Sequence, residues 1–199
     1  MKPFLIATGN PGKFNEITSI LGELPYEFLS IKDLEGVESQ VEEHGTTHDE
    51  NALIKARHFF NEKGYVTLGE DSGIEVAALK DELGLHTRRW GAGANASDEE
   101  WLDFFMKRME RESNRAARFV CSAALILEDG SEHLFHGEAR GAITRDVEAP
   151  ILPGLPLSSV FKVEGYDCVY AGMSKMQKAE VSHRGWAISK VKSFLEERT

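Results

Sequence analysis

Three short stretches of this 199-residue chain carry side chains able to do chemistry. The first is Thr8-Gly9-Asn10-Pro11-Gly12-Lys13, between the apolar run Phe4-Leu5-Ile6-Ala7 and a segment in which Phe14, Ile17, Ile20 and Leu21 recur at helical spacing. A strand, a glycine-containing turn and a helix start near Gly12 make an anion site: the first helical N–H groups lack intrahelical partners and the macrodipole is positive there. Lys13 adds a mobile positive charge, and the loop reads as a holder of nucleotide phosphates. The hexapeptide is neither the Gly-x-Gly-x-x-Gly fingerprint nor a P-loop, because Phe14 follows the lysine where a P-loop needs Ser or Thr. The plainer reading is a tight turn with a surface lysine.

The second stretch is Glu70-Asp71-Ser72-Gly73, two carboxylates at an expected strand end followed by a turn. Such a pair serves a hard cation such as Mg²⁺, or one member acts as general base on a water. Neighbouring strand residues point opposite ways, so only one of them faces any one site. The third stretch, Ser182-His183-Arg184-Gly185, opens a helix and offers a second anion site; His183 is expected neutral there, as a hydrogen-bond donor. Lys13, Arg88 or Arg89, Lys178 and Arg184 supply positive charge, although each taken singly reads equally as a surface residue.

The elements that must position these groups alternate between two periods. Strands are expected at 4–7, 26–31, 66–69 and 160–163, and a helix from an Asp49 cap through Ala52, Leu53, Ala56, Phe59 and Phe60, closed by Gly64. Extended structure is expected at 74–79. Residues 84–96, rich in Gly and Ala, read as a loop. Ser97 and Glu100 form a capping box for a helix lined by Trp101, Phe104, Phe105 and Met109, side chains that read as packing. A hairpin follows, with strands at 115–128 and 133–143 and its turn at Asp129-Gly130. The segment 150–156 holds three of the six prolines and reads as a rigid loop; two C-terminal helices close the chain. This is an α/β opening with the motifs at strand ends, where open sheets place ligands. One domain is expected, with a core lobe at 1–83 and 146–199 and a second, hairpin-bearing lobe at 84–145.

Composition narrows the class. With 41% hydrophobic and 28% charged residues the chain reads as a globular protein, and no apolar stretch is long enough to span a bilayer. No secretory signal is apparent and a cytoplasmic location is expected. The net charge of −10, from 33 acidic and 23 basic residues, argues against a nucleic-acid binder but not against a nucleotide enzyme with a local basic pocket. Cys121 and Cys168 lack metal-ligand spacing, and Cys121 reads as a buried small hydrophobe.

Taken together, Thr8-Gly9-Asn10-Pro11-Gly12-Lys13, Glu50-Asn51-Ala52 with Lys55-Ala56, Glu70-Asp71-Ser72-Gly73, Arg118-Phe119 and Ser182-His183-Arg184-Gly185 resemble the inosine/xanthosine triphosphate pyrophosphatase family, from Phe4 to about Ile188. The resemblance implies an elongated, two-lobed α/β fold with a mixed central sheet, flanking helices and an inserted β-hairpin lobe. It places a nucleotide cleft between the lobes and implies a homodimer. It further implies Mg²⁺-dependent hydrolysis of a nucleoside triphosphate, with Mn²⁺ as a substitute, to the monophosphate and pyrophosphate. That reaction would remove deaminated purines such as ITP, dITP and XTP. By the same resemblance Thr8, Gly9, Asn10 and Lys13 hold phosphates, and Asp71 is the metal-linked catalytic base, acting with Lys13. Ser72, Arg89, Lys178, His183 and Arg184 bind substrate. Glu42, or else Glu43, is the second metal ligand.

One place departs from the pattern. The family carries Phe-Gly-Tyr/Trp-Asp after its Gly-rich loop, with the Phe stacked on the purine; this chain has Leu155-Pro156-Leu157-Ser158. Leu155 and Ser158 then line the base end, and the charged acceptor for the base edge is gone. The same chemistry on a different modified or pyrimidine triphosphate is one alternative this opens. Nucleotide binding without turnover is another.

Overall fold

The structure is a computed structural model that describes residues 1–36, 41–80, 82–93 and 95–198; the side chains of His86, Arg88 and Arg89 lie outside the description. In chain order the elements are β1 (Lys2–Ile6), α1 (Pro11–Leu21), β2 (Tyr26–Ser30), α2 (His48–Lys63), β3 (Val66–Val76), α3 (Asp98–Met109), β4 (Ala116–Ile126), β5 (Glu132–Ile143), β6 (Phe161–Val163), α4 (Lys175–Val181) and α5 (His183–Glu196). Six strands form one mixed sheet in the order β2-β1-β3-β4-β5-β6, with β1 parallel to both neighbours and the remaining pairs antiparallel.

Strand alternation decides what covers each face. Phe4, Ile6, Leu68, Ala123 and Leu125 pack with Ile17 and Leu21 of α1 and with Ala187, Ile188 and Val191 of α5. On the opposite face Ala124 and Ile126 pack with Ala52 and Ala56, and Leu5 and Ala7 pack with Phe59. α2 lies close to β3 because Gly69 has no side chain: a Cβ there would sit 2.2 Å from the Ala52 carbonyl oxygen. At the other end of the sheet Ile74, Val76, Ala117, Ala139 and Ile143 bury Trp101, Leu102, Phe105 and Met109 of α3.

One expectation changes. Glu70–Gly73 is not a strand end and turn. β3 runs unbroken to Val76, because β4 pairs with it from Thr67↔Ile126 to Val76↔Ala117 and satisfies the backbone groups a turn would have freed. The hairpin of β4 and β5 continues the same six-stranded sheet. Smaller shifts follow from local chemistry. Thr47, not Asp49, caps α2 by accepting from the Glu50 N–H, and 84–89 forms 3₁₀ turns rather than an irregular loop. Gly64 closes α2 in the left-handed region, with φ of 67°. No helix among the described residues is long and apolar enough to cross a membrane.

Candidate active site

The chemistry-bearing stretches meet in a cleft of about 510 Å³. The first loop forms one end of it, built around Asn10. This residue is the N-cap of α1: its Oδ1 accepts from the N–H groups of Gly12 (2.9 Å) and Lys13 (3.1 Å), and its Nδ2 donates to the Gly154 carbonyl (2.9 Å). The two helical N–H groups expected to meet an anion are thus already satisfied by the cap, which ties the loop to the Pro-rich segment. Positive charge comes instead from Lys13, whose Nζ lies 2.7 Å from Glu70 Oε2.

Glu70 is the centre of a buried ion network. Its Oε1 accepts from Arg184 Nε and Nη2, both at 3.2 Å, and Arg184 Nη2 also donates to Ser72 Oγ at 3.0 Å. Arg184 pairs further with Glu16 through its Nη1, and Glu16 pairs with the Lys178 ammonium. Positive and negative groups therefore alternate, Lys13, Glu70, Arg184, Glu16, Lys178. Burial pushes the Glu70 carboxyl up, but the Arg184 and Lys13 charges outweigh it and hold the group well below the usual carboxylate range. Glu16 is lowered by the same balance, with Arg184 and Lys178 as partners. Burial lowers Lys178, against the pull of Glu16, and its Nζ reaches Ser158 Oγ at 3.4 Å.

Asp71, the next residue on β3, points the other way, towards α2. Its carboxylate takes Lys55 Nζ at 3.0 Å and His48 Nδ1 at 2.5 Å. Burial raises the Asp71 carboxyl, and the His48 bond and the Lys55 charge overcome that and lower it. Lys55 also meets Glu43 Oε1 at 3.2 Å, so two carboxylates from different segments converge on one ammonium. Glu42 is exposed and turned away from this group; Glu43 is the carboxylate of that loop in the cleft wall. The described residues include no cluster of three or more His, Cys, Asp or Glu side chains that could hold a metal.

Another part of the cleft wall is apolar and aromatic. Leu155, Leu157, Phe119, Tyr170 and Trp101 line it, with Ser158, Lys178 and His183. The His183 ring stacks on Phe119 with centroids 4.6 Å apart and planes 13° from parallel. Burial, reinforced by Arg184, lowers His183 well below its usual value, so the ring is neutral, as the helix start alone suggested.

Among the sequence-predicted residues, Thr8, Gly9, Asn10, Lys13, Ser72, Leu155, Ser158, Lys178, His183 and Arg184 line this one cleft. Asp71 and Glu42 are not among the lining residues, although Asp71 bonds Lys55, which is; the Arg89 side chain lies outside the described residues. Glu16, His48 and Trp101 were missed as site residues. Glu16 carried a signal, three residues after Lys13 and hence on the same face of α1. His48 and Trp101 carried none beyond residue type.

A family model now meets this geometry: the description Ham1 family matches residues 4–194. The chain belongs to the Ham1 family. Among its relatives are the dITP/XTP pyrophosphatases of Vibrio parahaemolyticus, 35% identical over 100% of this chain and 99% of that one, and of Christiangramia forsetii, 33% identical over 96% and 97%. The solved Ham1 proteins of Staphylococcus aureus and Coxiella burnetii superpose with a TM-score of 0.82 each. They are 32% and 31% identical and cover 100% and 99% of this chain and 100% of their own. The mixed α/β sheet with flanking helices is thus a Ham1 fold, and the motif resemblance drawn from the sequence holds over the full length.

Proposed function

We propose that this Ham1 chain hydrolyses nucleoside triphosphates to the monophosphate and pyrophosphate, acting on deaminated purines with a divalent cation, Mg²⁺ or in its place Mn²⁺. The observation that carries the reading is the convergence of Glu43 and Asp71 on the Lys55 ammonium beside a cleft wall bearing Lys13. A point that already draws two carboxylates around a cation suits a hard metal ion, and Mg²⁺ typically takes one or two carboxylates and completes its shell with water and phosphate oxygens. The ligands in this reading are Asp71 and Glu43, the latter in place of Glu42. Bound there, the ion would neutralise phosphate charge and acidify a water.

The protein's own groups supply the rest. Lys13 and Arg184 stand in the wall as cations paired to Glu70, and an entering triphosphate gives them further oxygen partners while Glu70 keeps its own. Glu70 stays ionised and keeps both cations charged and oriented. Asp71, kept ionised by His48 and Lys55, takes the proton of the attacking water as the hydroxyl adds to the α-phosphorus and pyrophosphate leaves. Thr8 and Ser72 contribute hydroxyls, and Lys178 and His183 face the base. Assembly as a homodimer belongs to this reading and rests on the family resemblance.

Purified protein incubated with ITP, dITP and XTP and Mg²⁺ is expected to release pyrophosphate and the monophosphate in equal amounts. Orthophosphate as the sole product would sink the mechanism. A second reading keeps the chemistry and changes the base, and Leu155-Pro156-Leu157-Ser158 in the wall favours it. A panel including pyrimidine triphosphates, scored by kcat/KM, separates the two.

A further inference from the structure

Four buried side-chain atoms of the described residues lack a hydrogen-bond partner: Glu16 Oε1, Glu70 Oε2, Trp101 Nε1 and His183 Nδ1. The two carboxylate oxygens are accounted for by their ion pairs with Lys178 and Lys13. The remaining two, the indole N–H and an imidazole nitrogen, come from residues 82 positions apart in the chain (183 minus 101), and both residues line the same cleft. A buried indole N–H nearly always finds an acceptor, because leaving it bare forfeits its bond to water. Trp101 is 1% exposed, stacked at 10° on Phe105 and edge-on to Trp90. Around it the wall offers apolar side chains, Leu155, Leu157 and Phe119.

We propose that Trp101 is a specificity-determining residue, whose indole N–H donates to an exocyclic carbonyl oxygen of the substrate's base. The inference rests on the reaction assigned above and extends it to base selection. An indole N–H only donates, so it pairs with an oxo group and opposes an amino group at the same place. The nitrogen has no exposed surface in the empty cleft, so the contact requires the ring to shift as the base seats. A site built to hydrogen-bond a ligand rejects the analogue lacking that group by leaving its own polar atom bare. The family's aromatic platform is absent at Leu155, and Trp101 with the Phe119–His183 stack supplies the aromatic surface at that end.

The test compares kcat/KM for xanthosine triphosphate, which carries two oxo groups, with purine riboside triphosphate, which carries none, in wild type and in Trp101→Phe. The ratio of kcat/KM for the oxo substrate over purine riboside triphosphate is expected to shrink by about tenfold or more in the variant. An equal loss on both substrates, or an unchanged ratio, overturns the proposal. A second measurement needs no variant at this position. In ¹⁵N-tryptophan-labelled protein, with the other two indoles assigned by Trp90→Phe and Trp186→Phe, the Trp101 N–H resonance is expected to move downfield on adding xanthosine monophosphate and to stay with purine riboside monophosphate. A resonance that stays with both overturns the proposal. If wild type releases no pyrophosphate from any triphosphate, the assigned reaction falls, and the resonance alone decides the base contact.

Discussion

The charged and the apolar parts of the cleft wall are finished to different degrees. At the charged end every side chain is already answered: Lys13 by Glu70, Glu70 also by Arg184, Arg184 also by Glu16, Glu16 also by Lys178, and Asp71 by Lys55 and His48. At the apolar end Trp101 Nε1 and His183 Nδ1 are buried with no partner. The difference follows from what each end must avoid. A buried unpaired ion is far more expensive than a buried unpaired dipole, so charges must be compensated in the empty protein while single donors can wait for a ligand. The charged groups therefore keep their partners and add the ligand's oxygens on binding, while the apolar part of the wall gains partners it lacked.

That contrast breaks most visibly at Asp71. Asp71→Asn keeps the shape but removes the proton acceptor and one of two carboxylates on Lys55, and kcat is expected to fall by about 10³-fold, a loss on the scale of removing a key charge-stabilising group. Loss confined to KM would move Asp71 out of the chemistry. Next comes the loop carboxylate. In a titration of activity against Mg²⁺, Glu43→Gln is expected to raise the half-saturating concentration by about tenfold, the lower end of what losing a partner of the metal costs. Glu42→Gln should leave it unchanged, and the reverse result would restore Glu42 as the ligand.

His183 probes the other end through pH. Its folded-state value is depressed, so the unfolded chain binds the proton first. The stability it contributes is complete above about 6.5 and is lost as pH falls from there towards the folded value. Urea unfolding between pH 6.5 and 5.5 should therefore show wild type losing stability faster than His183→Gln as pH falls, by less than about 1.4 kcal/mol per pH unit, the limit for one proton. Parallel slopes would mean that the ring is protonated in place. The smallest effect is expected at Leu155→Phe, which returns a stacking surface to the wall. A gain of about 1 kcal/mol, the low end for an aromatic side chain on a base, would lower KM for purine triphosphates about fivefold and leave kcat alone.

Much of this site was legible in the chain. Asn10, Lys13, Ser72, His183 and Arg184 stand at element starts and alternate strand positions, where local rules are strong, and all line the cleft. Alternation also anticipated that Glu70 and Asp71 would face different sites. It could not say that Glu70 faces the cleft and Asp71 faces α2, because that depends on which helix covers which side of the sheet. Glu42 and Glu43 could not be separated for a like reason: a one-residue shift in a loop decides which carboxylate meets Lys55. The turn expected at Glu70–Gly73 failed because turn residues yield to strand pairing when a partner such as β4 is long enough to hold them.

The amino-acid sequence by itself determined the α/β class, the loop and helix starts that gather positive charge, and the family, because these rest on local spacing and on residue types that few other arrangements use. Only the tertiary structure decided that the Asn10 side chain takes the helix-start N–H groups, that Glu70 rather than Asp71 stands in the wall, and that Trp101 meets the cleft with its N–H unanswered. Each of these depends on what lies opposite a side chain in space. Residues 16, 70 and 184 share one ion network although the last two are 114 positions apart in the chain.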